Sequence, residues 1–154
     1  MVTNKPKRRI ERVFSRLVNA SIPASSSGAV LHTAEDQQTL VRTMIDGIFY
    51  PIDNAMSFGV KGELAIAVSP GSTDIISADT SNNLDTPTTL QEITRIPFVA
   101  MQNDTNSIYV DTRVLRDIKA MRKLRENDEI VAFLIADTAS DIKCVVNFYL
   151  WFKE

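Results

Sequence analysis

The chain has 154 residues, 44% of them hydrophobic and 23% charged, with a formal net charge of −2; this suits one soluble domain with a single core and excludes a disordered chain. The charge is unevenly placed: Lys5, Lys7, Arg8, Arg9, Arg12 and Arg16 face only Glu11 in the first sixteen residues, so a segment of +5 precedes a remainder of −7. No apolar run approaches the roughly 20 residues that span a bilayer, and no apolar stretch follows the N-terminal charges as a secretory signal requires.

In chain order, residues 1–8 (MVTNKPKR) read as a polar arm. Ile10, Val13, Phe14 and Leu17 then recur at helical spacing, with Arg9, Arg12 and Arg16 on another face, which predicts a short basic amphipathic helix ending before Pro23. Residues 22–28 (IPASSSG) read as a linker, so the predicted division is an arm and linker over 1–27 and a folded body over 28–154. From residue 28 the pattern is that of strands: 29–33, 39–50, 63–69, 95–101, 107–113, 118–124, 129–136 and 143–152, with a weaker candidate at 73–77. Pro70-Gly71, Asn103-Asp104, Asn127-Asp128 and the Thr138–Asp141 cluster supply turns. Residues 77–94 form the longest polar interruption, a surface loop with a brief helical turn around Leu90 to Ile93. Regular short strands without alternating helices predict an all-β sandwich or barrel. In the last strand Val146, Phe148, Leu150 and Phe152 face the core, and Val145, Asn147, Tyr149 and Trp151 face a neighbour or solvent.

Catalytic chemistry finds little support. His32 is the only histidine and Cys144 the only cysteine, too few for a zinc site of ordinary ligand count. His32 reads as a strand or interface residue, and Cys144, beside Val145 and Val146, as a buried inert thiol with no disulfide partner. The glycines at 28, 47, 59, 62 and 71 stand singly and build no phosphate loop. The expectation is therefore no enzyme, no metal and no cofactor.

The basic clusters point elsewhere. KPKRR (5–9) followed by Arg12 and Arg16 supplies phosphate neutralisation without sequence preference, or a nuclear-import signal, or else a solvated tail. A second basic region, Arg113, Arg116, Lys119, Arg122, Lys123 and Arg125, is interleaved with Asp111, Asp117, Glu126 and Asp128. It reads as a basic inner surface, a ladder of ion pairs between subunits, or a plain polar strand face. The aromatics sit inside strand patterns and read as packing residues; the sequence does not reveal exposed aromatics on two adjacent strands. Phe49, Tyr50, Ile52, Met56 and Phe58 either cap the core or fill a neighbour's pocket.

Residues 107–137 (SIYVDTRVLRDIKAMRKLRENDEIVAFLIAD) resemble the late strands of single jelly-roll capsid proteins of small circular Rep-encoding single-stranded DNA viruses. Asp111-Thr112-Arg113, Met121–Leu124, the charged turn Arg125–Asp128 and the apolar Ile130–Ile135 carry the likeness, and TLVRTMIDG (39–47) is similar to an early capsid strand. The resemblance implies a jelly roll of about eight antiparallel strands whose copies self-assemble into a small icosahedral shell around single-stranded DNA, assembled in the host nucleus. Lys5, Lys7, Arg8, Arg9, Arg12 and Arg16 would then contact the genome, with Arg113, Arg122, Lys123 and Arg125 as further lumenal or subunit contacts. The arm is shorter and poorer in arginine than is common in that group. Two other readings are open: a nucleic-acid-binding β-domain with a basic tether and no shell, and a cupin-like ligand-binding jelly roll, which the single histidine disfavours.

Overall fold

The computed structural model describes residues 10–22, 28–50, 60–70, 91–100, 112–136 and 140–153. Within them lie nine strands and no helix: β1 (Ile10–Ile22), β2 (Gly28–Thr33), β3 (Gln38–Phe49), β4 (Val60–Ser69), β5 (Gln91–Ala100), β6 (Thr112–Ile118), β7 (Arg122–Leu124), β8 (Glu129–Ala136) and β9 (Ser140–Lys153). They form two antiparallel sheets. The first has the order β1-β9-β3-β6, with β7 also pairing β3; the second has the order β2-β8-β4-β5.

The pairing is nested. The first strand pairs the last, β2 pairs β8, β3 pairs β6, and β4 pairs β5. A long antiparallel ribbon rolled about an axis gives this order, with alternate pairs falling into opposite sheets. That is a jelly roll, the double-sheet solution that pairs distant strands through two Greek keys.

The short basic helix expected to end before Pro23 is, from residue 10, instead β1, hydrogen-bonded along β9 from Ile10 opposite Lys153 to Ile22 opposite Ser140. Val13, Ser15 and Leu17 turn inward, while Ile10, Arg12, Phe14, Arg16 and Val18 turn outward. The helical spacing arises because apolar residues occupy both faces of one strand. Asn19 adopts a positive φ of 54° at a bulge between Val18 and Ala20, and its Oδ1 accepts the Cys144 N–H at 3.2 Å. A short polar side chain tolerates that backbone and restores a ladder bond that the bulge removes. A second departure is Gln91–Ile93, expected as a helical turn, which opens β5. The strand expected over 118–124 is split: β6 ends at Ile118 and β7 starts at Arg122. The weak candidate at 73–77 lies outside the described residues, as do residues 77–90 of the expected loop and Ile52, Met56 and Phe58.

The core fills the space between the sheets. Phe148, Leu150 and Phe152 of β9 are at most 1% exposed, in the register their alternation predicts. They meet Leu40 and Ile45 of β3, Leu64 and Ile66 of β4, and Ile130 and Leu134 of β8 in one cluster. Each such side chain contributes about 1.5–3 kcal/mol on burial. Phe49 stacks on Phe98 with ring centroids 4.5 Å apart, closing one end of the core; Tyr50 beside it is exposed. At the other end His32 packs on Phe152 at 4.2 Å and shares a 2.9 Å hydrogen bond with Gln38, a packing role. The turn at Asn127-Asp128 forms as predicted. Asn127 has φ 69°, its N–H donates to Ala34 O, and Asp128 Oδ2 accepts the Arg125 N–H at 2.8 Å.

The two sheets differ on their outer faces. On the second sheet Ala65, Ala67, Val131, Phe133 and Ile135 project outward and are still at most 4% exposed, as a separate apolar cluster. The outer face of the first sheet is open and chemically mixed.

Candidate nucleic-acid interface

That open face is ordered by three neighbouring strands, with β9 in the middle. Its rows follow from the register. Arg12 of β1, Trp151 of β9 and Arg42 of β3 lie side by side; next come Phe14, Tyr149 and Met44; then Arg16, Asn147 and Asp46; then Val18, Val145 and Ile48. Parity alone decides this composition, because alternate residues of a strand share a face. The inner residues of the same strands, between these rows, are apolar apart from Ser15 and Thr43, so burial fixes the register, and the outer residues are carried to their places.

Within the rows the side chains touch. Phe14 and Tyr149 form a tilted aromatic pair with centroids 5.2 Å apart. The Arg42 guanidinium lies 4.5 Å from the centre of the Trp151 ring, Arg16 lies 5.5 Å from Phe14, and Arg12 lies 6.0 Å from Tyr149. Such contacts hold a cation over a ring and keep both in one plane above the sheet. Arg16 Nε also donates to Asn147 Oδ1 at 2.8 Å. Arg42 is clamped from the far side by a bidentate pair with Asp117, at 2.9 and 2.7 Å. The hydrogen bond from Arg42 holds the Asp117 carboxyl below its ordinary range, against a smaller desolvation effect. Phe14 is half exposed, and Ile10, Val18 and Leu115 on the same face are more than half exposed.

The residues singled out from sequence divide into three groups. Lys5, Lys7, Arg8 and Arg9 lie outside the described residues. Arg12 and Arg16 stand on the open face, beside the aromatic residues. The second basic region does not form one patch. Arg113 sits opposite Ile48 and Lys123 opposite Thr39, about 30 Å apart along β3 at the usual rise per residue. Arg113 is tied to Asp46 of β3 at 3.2 Å, and of the interleaved acids Asp117 pairs with Arg42 of β3 while Asp128 caps the turn at the Arg125 N–H. Arg122 donates to the carbonyls of Met121 and Glu92. Lys123 and Arg125 line a polar cleft of about 690 Å³ with Gln37, Gln38, Gln91 and Asp128. Lys123 and Lys153 both pair across Thr39, which puts them at the end of the sheet where residue 10 begins β1. No ion pair among the described residues holds Arg12, Arg16, Lys123 or Lys153.

The aromatic set is not legible in the sequence. Phe14 and Tyr149 are cross-strand partners, yet no local pattern links residues so far apart. The one available signal is the mixed outer set of the last strand, Val145, Asn147, Tyr149 and Trp151, which points only to a neighbour or solvent.

No family model matches the chain, and no curated protein matches it. Among solved structures it is similar to the cyanophage Pam1 capsid asymmetric unit, at 8% identity over 99% of this chain and 90% of that one, with a TM-score of 0.41. It is also similar to a structure of infectious bursal disease virus, Gx strain, at 8% identity over 99% of this chain and 36% of that one, TM-score 0.32. A VP2 subviral particle of the same virus gives 7% identity, 99% and 37% coverage and a TM-score of 0.35. At these values the likeness adds nothing to the strand order, on which the fold rests.

Proposed function

We propose that this chain is a coat subunit, copies of which close into a small icosahedral shell around single-stranded nucleic acid. The observation that carries the reading is the joining of a nested eight-strand roll to a basic segment at β1. KPKRR directly precedes Ile10, and the cations Arg12, Arg16, Lys123 and Lys153 lie along the strand and at the sheet end that receive it. A sandwich of this size also leaves β1, thirteen residues long, as an edge strand of its sheet. Long unpaired edges favour association with another chain, and a closed shell buries them in repeated contacts. The sequence resemblance to capsid proteins of small single-stranded DNA viruses supports DNA as the cargo and the host nucleus as the place of assembly.

Size-exclusion chromatography with negative-stain microscopy tests the shell. Uniform hollow spheres are expected. A stable species near the 17.2 kDa monomer mass under all salt and pH conditions removes the proposal. The second reading, a nucleic-acid-binding β-domain with a basic tether, is favoured by the same open face, which needs no partner copy to be complete. It predicts that monomeric species together with salt-sensitive oligonucleotide binding.

A further inference from the structure

We infer that the outer face of the first sheet is a stacking platform that selects unpaired bases, so that the protein prefers single strands to duplex. This rests on the nucleic-acid reading above and goes beyond it. Phosphate neutralisation by the arm alone holds any polyanion. Three aromatic rings, Phe14, Tyr149 and Trp151, lie on two adjacent strands, with Arg16, Arg12 and Arg42 respectively over them at 5.5, 6.0 and 4.5 Å from the ring centres. Binding of single strands without sequence preference uses that combination: bases stack on rings, while cations beside the rings follow the backbone. In a duplex the base faces are already stacked on each other and cannot reach a flat sheet.

The occupant follows from charge and exposure. The carboxylates Asp46 and Asp117 on this face are already held by Arg113 and Arg42, whereas among the described residues the side chains of Arg12 and Arg16 meet rings and a neutral amide. A polyanion meets open cations here. The half exposure of Phe14, on the edge strand β1, leaves the part of its ring that Tyr149 and Arg16 do not cover open to a base. The opposite sheet offers no such field, because its outward apolar residues are closed to solvent.

The test compares oligothymidylate with an abasic deoxyribose-phosphate chain of the same length and with duplex DNA, using the full-length protein. Emission from Trp151, the sole tryptophan, is followed together with light scattering. Oligothymidylate should bind about tenfold more tightly than the abasic chain, a figure at the lower end for stacked bases, and should quench Trp151. Phe14→Leu, an exposed change that keeps the side chain apolar, should erase most of that preference while leaving the salt dependence unchanged. Arg12→Gln should do the reverse.

Equal binding of the two chains, with Trp151 emission unmoved, overturns the platform and leaves charge-based binding intact. Emission that follows particle growth in the scattering signal, and ignores oligonucleotide, makes this face a contact between copies and also overturns it. Absence of binding to every probe at low salt removes both the platform and the nucleic-acid reading beneath it.

Discussion

Gly62 leaves no room for a side chain. It sits on β4 between two partners, opposite Ala136 of β8 on one side and Phe98 of β5 on the other. A Cβ added there collides with the carbonyl oxygen of Ile135 and comes within 3.0 Å of the Ala136 Cβ and of the Phe98 ring. The carbonyl belongs to a hydrogen-bonded strand and cannot swing aside. The Phe98 ring is pinned by its stack on Phe49. Relief therefore requires β8 to move away from β4. Overpacking of this kind costs about 1–3 kcal/mol and sometimes more, while loss of glycine's freedom in the unfolded chain returns about 0.4–1 kcal/mol. Because the clash is with backbone, the cost falls at the top of that range, and Gly62→Ala should lose about 2–2.6 kcal/mol net. Gly47 is the internal control. Its added Cβ meets only the side chain of Val146, at 3.0–3.3 Å, and a valine side chain can give by a few tenths of an ångström. Gly47→Ala should stay within about 1 kcal/mol of wild type, the scale of a tolerated core change. Urea unfolding followed by Trp151 emission measures both. Equal midpoints for the two variants, or a neutral Gly62→Ala, would show that β4 and β8 are not packed this closely.

Removal of residues 1–9 should leave the unfolding midpoint unchanged while flattening the salt dependence of oligonucleotide binding, by about 0.7 in log–log slope for each phosphate that the shortened chain leaves un-neutralised; an unaltered slope would clear the arm of that role. Removal of residues 1–20, by contrast, strips β9 of its partner and uncovers the core beside Leu17, so it should yield aggregated or unfolded chain, visible as a collapse of near-ultraviolet dichroism. Phe148→Asp and Leu150→Asp each bury an unpaired charge at a site under 1% exposed, and a soluble, cooperatively unfolding variant would refute the register of β9. Burial pushes the Cys144 thiol up to about 11 from an ordinary 9.0. Its thiolate is thus favoured only in the unfolded chain, so its contribution to stability is complete below pH 9 and declines as pH rises toward 11. Thiol reagents at neutral pH should label it only after denaturant is added, and rapid labelling of native protein would place it at the surface.

The parts of this fold that are legible in sequence are those where one strand face is purely apolar. Val146, Phe148, Leu150 and Phe152 show the principle: the inner set of β9 contains no polar residue, so alternation stands out and the register follows. β1 conceals itself because its two faces share apolar character. Val13 and Leu17 point in while Ile10 and Phe14 point out, and the union of the two sets imitates a 3.6-residue period. Only β9, more than a hundred residues later, resolves the ambiguity, since pairing with it satisfies the backbone groups along one side of β1. The boundaries of β6 and β7, expected at 107–113 and 118–124 and found at 112–118 and 122–124, are hidden for a related reason. Charged residues run through both, and the break at Lys119–Met121 has no glycine or proline to mark it. The basic residues of the candidate site are visible as charges, but their neighbours are not, because cross-strand adjacency is a property of the nested pairing.

The nested pairing also explains why one open face carries both the cations and the rings. In this order the first and last strands are partners, so the basic N-terminal stretch and the aromatic C-terminal strand meet in one sheet. Had β1 paired β2, as in a simple meander, Arg12 and Arg16 would face the apolar surroundings of Val30 while Tyr149 and Trp151 stood apart from them. Contacts of such sequence separation form late and slowly, and a sheet that awaits its last strand exposes the inner face of β1 until β9 arrives. Folding of the platform is therefore tied to completion of the chain: a truncation after residue 139 loses the middle strand of the first sheet and its core residues, so it should not fold and should hold oligonucleotides only through the charge of an unfolded chain. That truncated chain should show no preference for oligothymidylate over the abasic chain, and a preserved preference would place the stacking residues elsewhere.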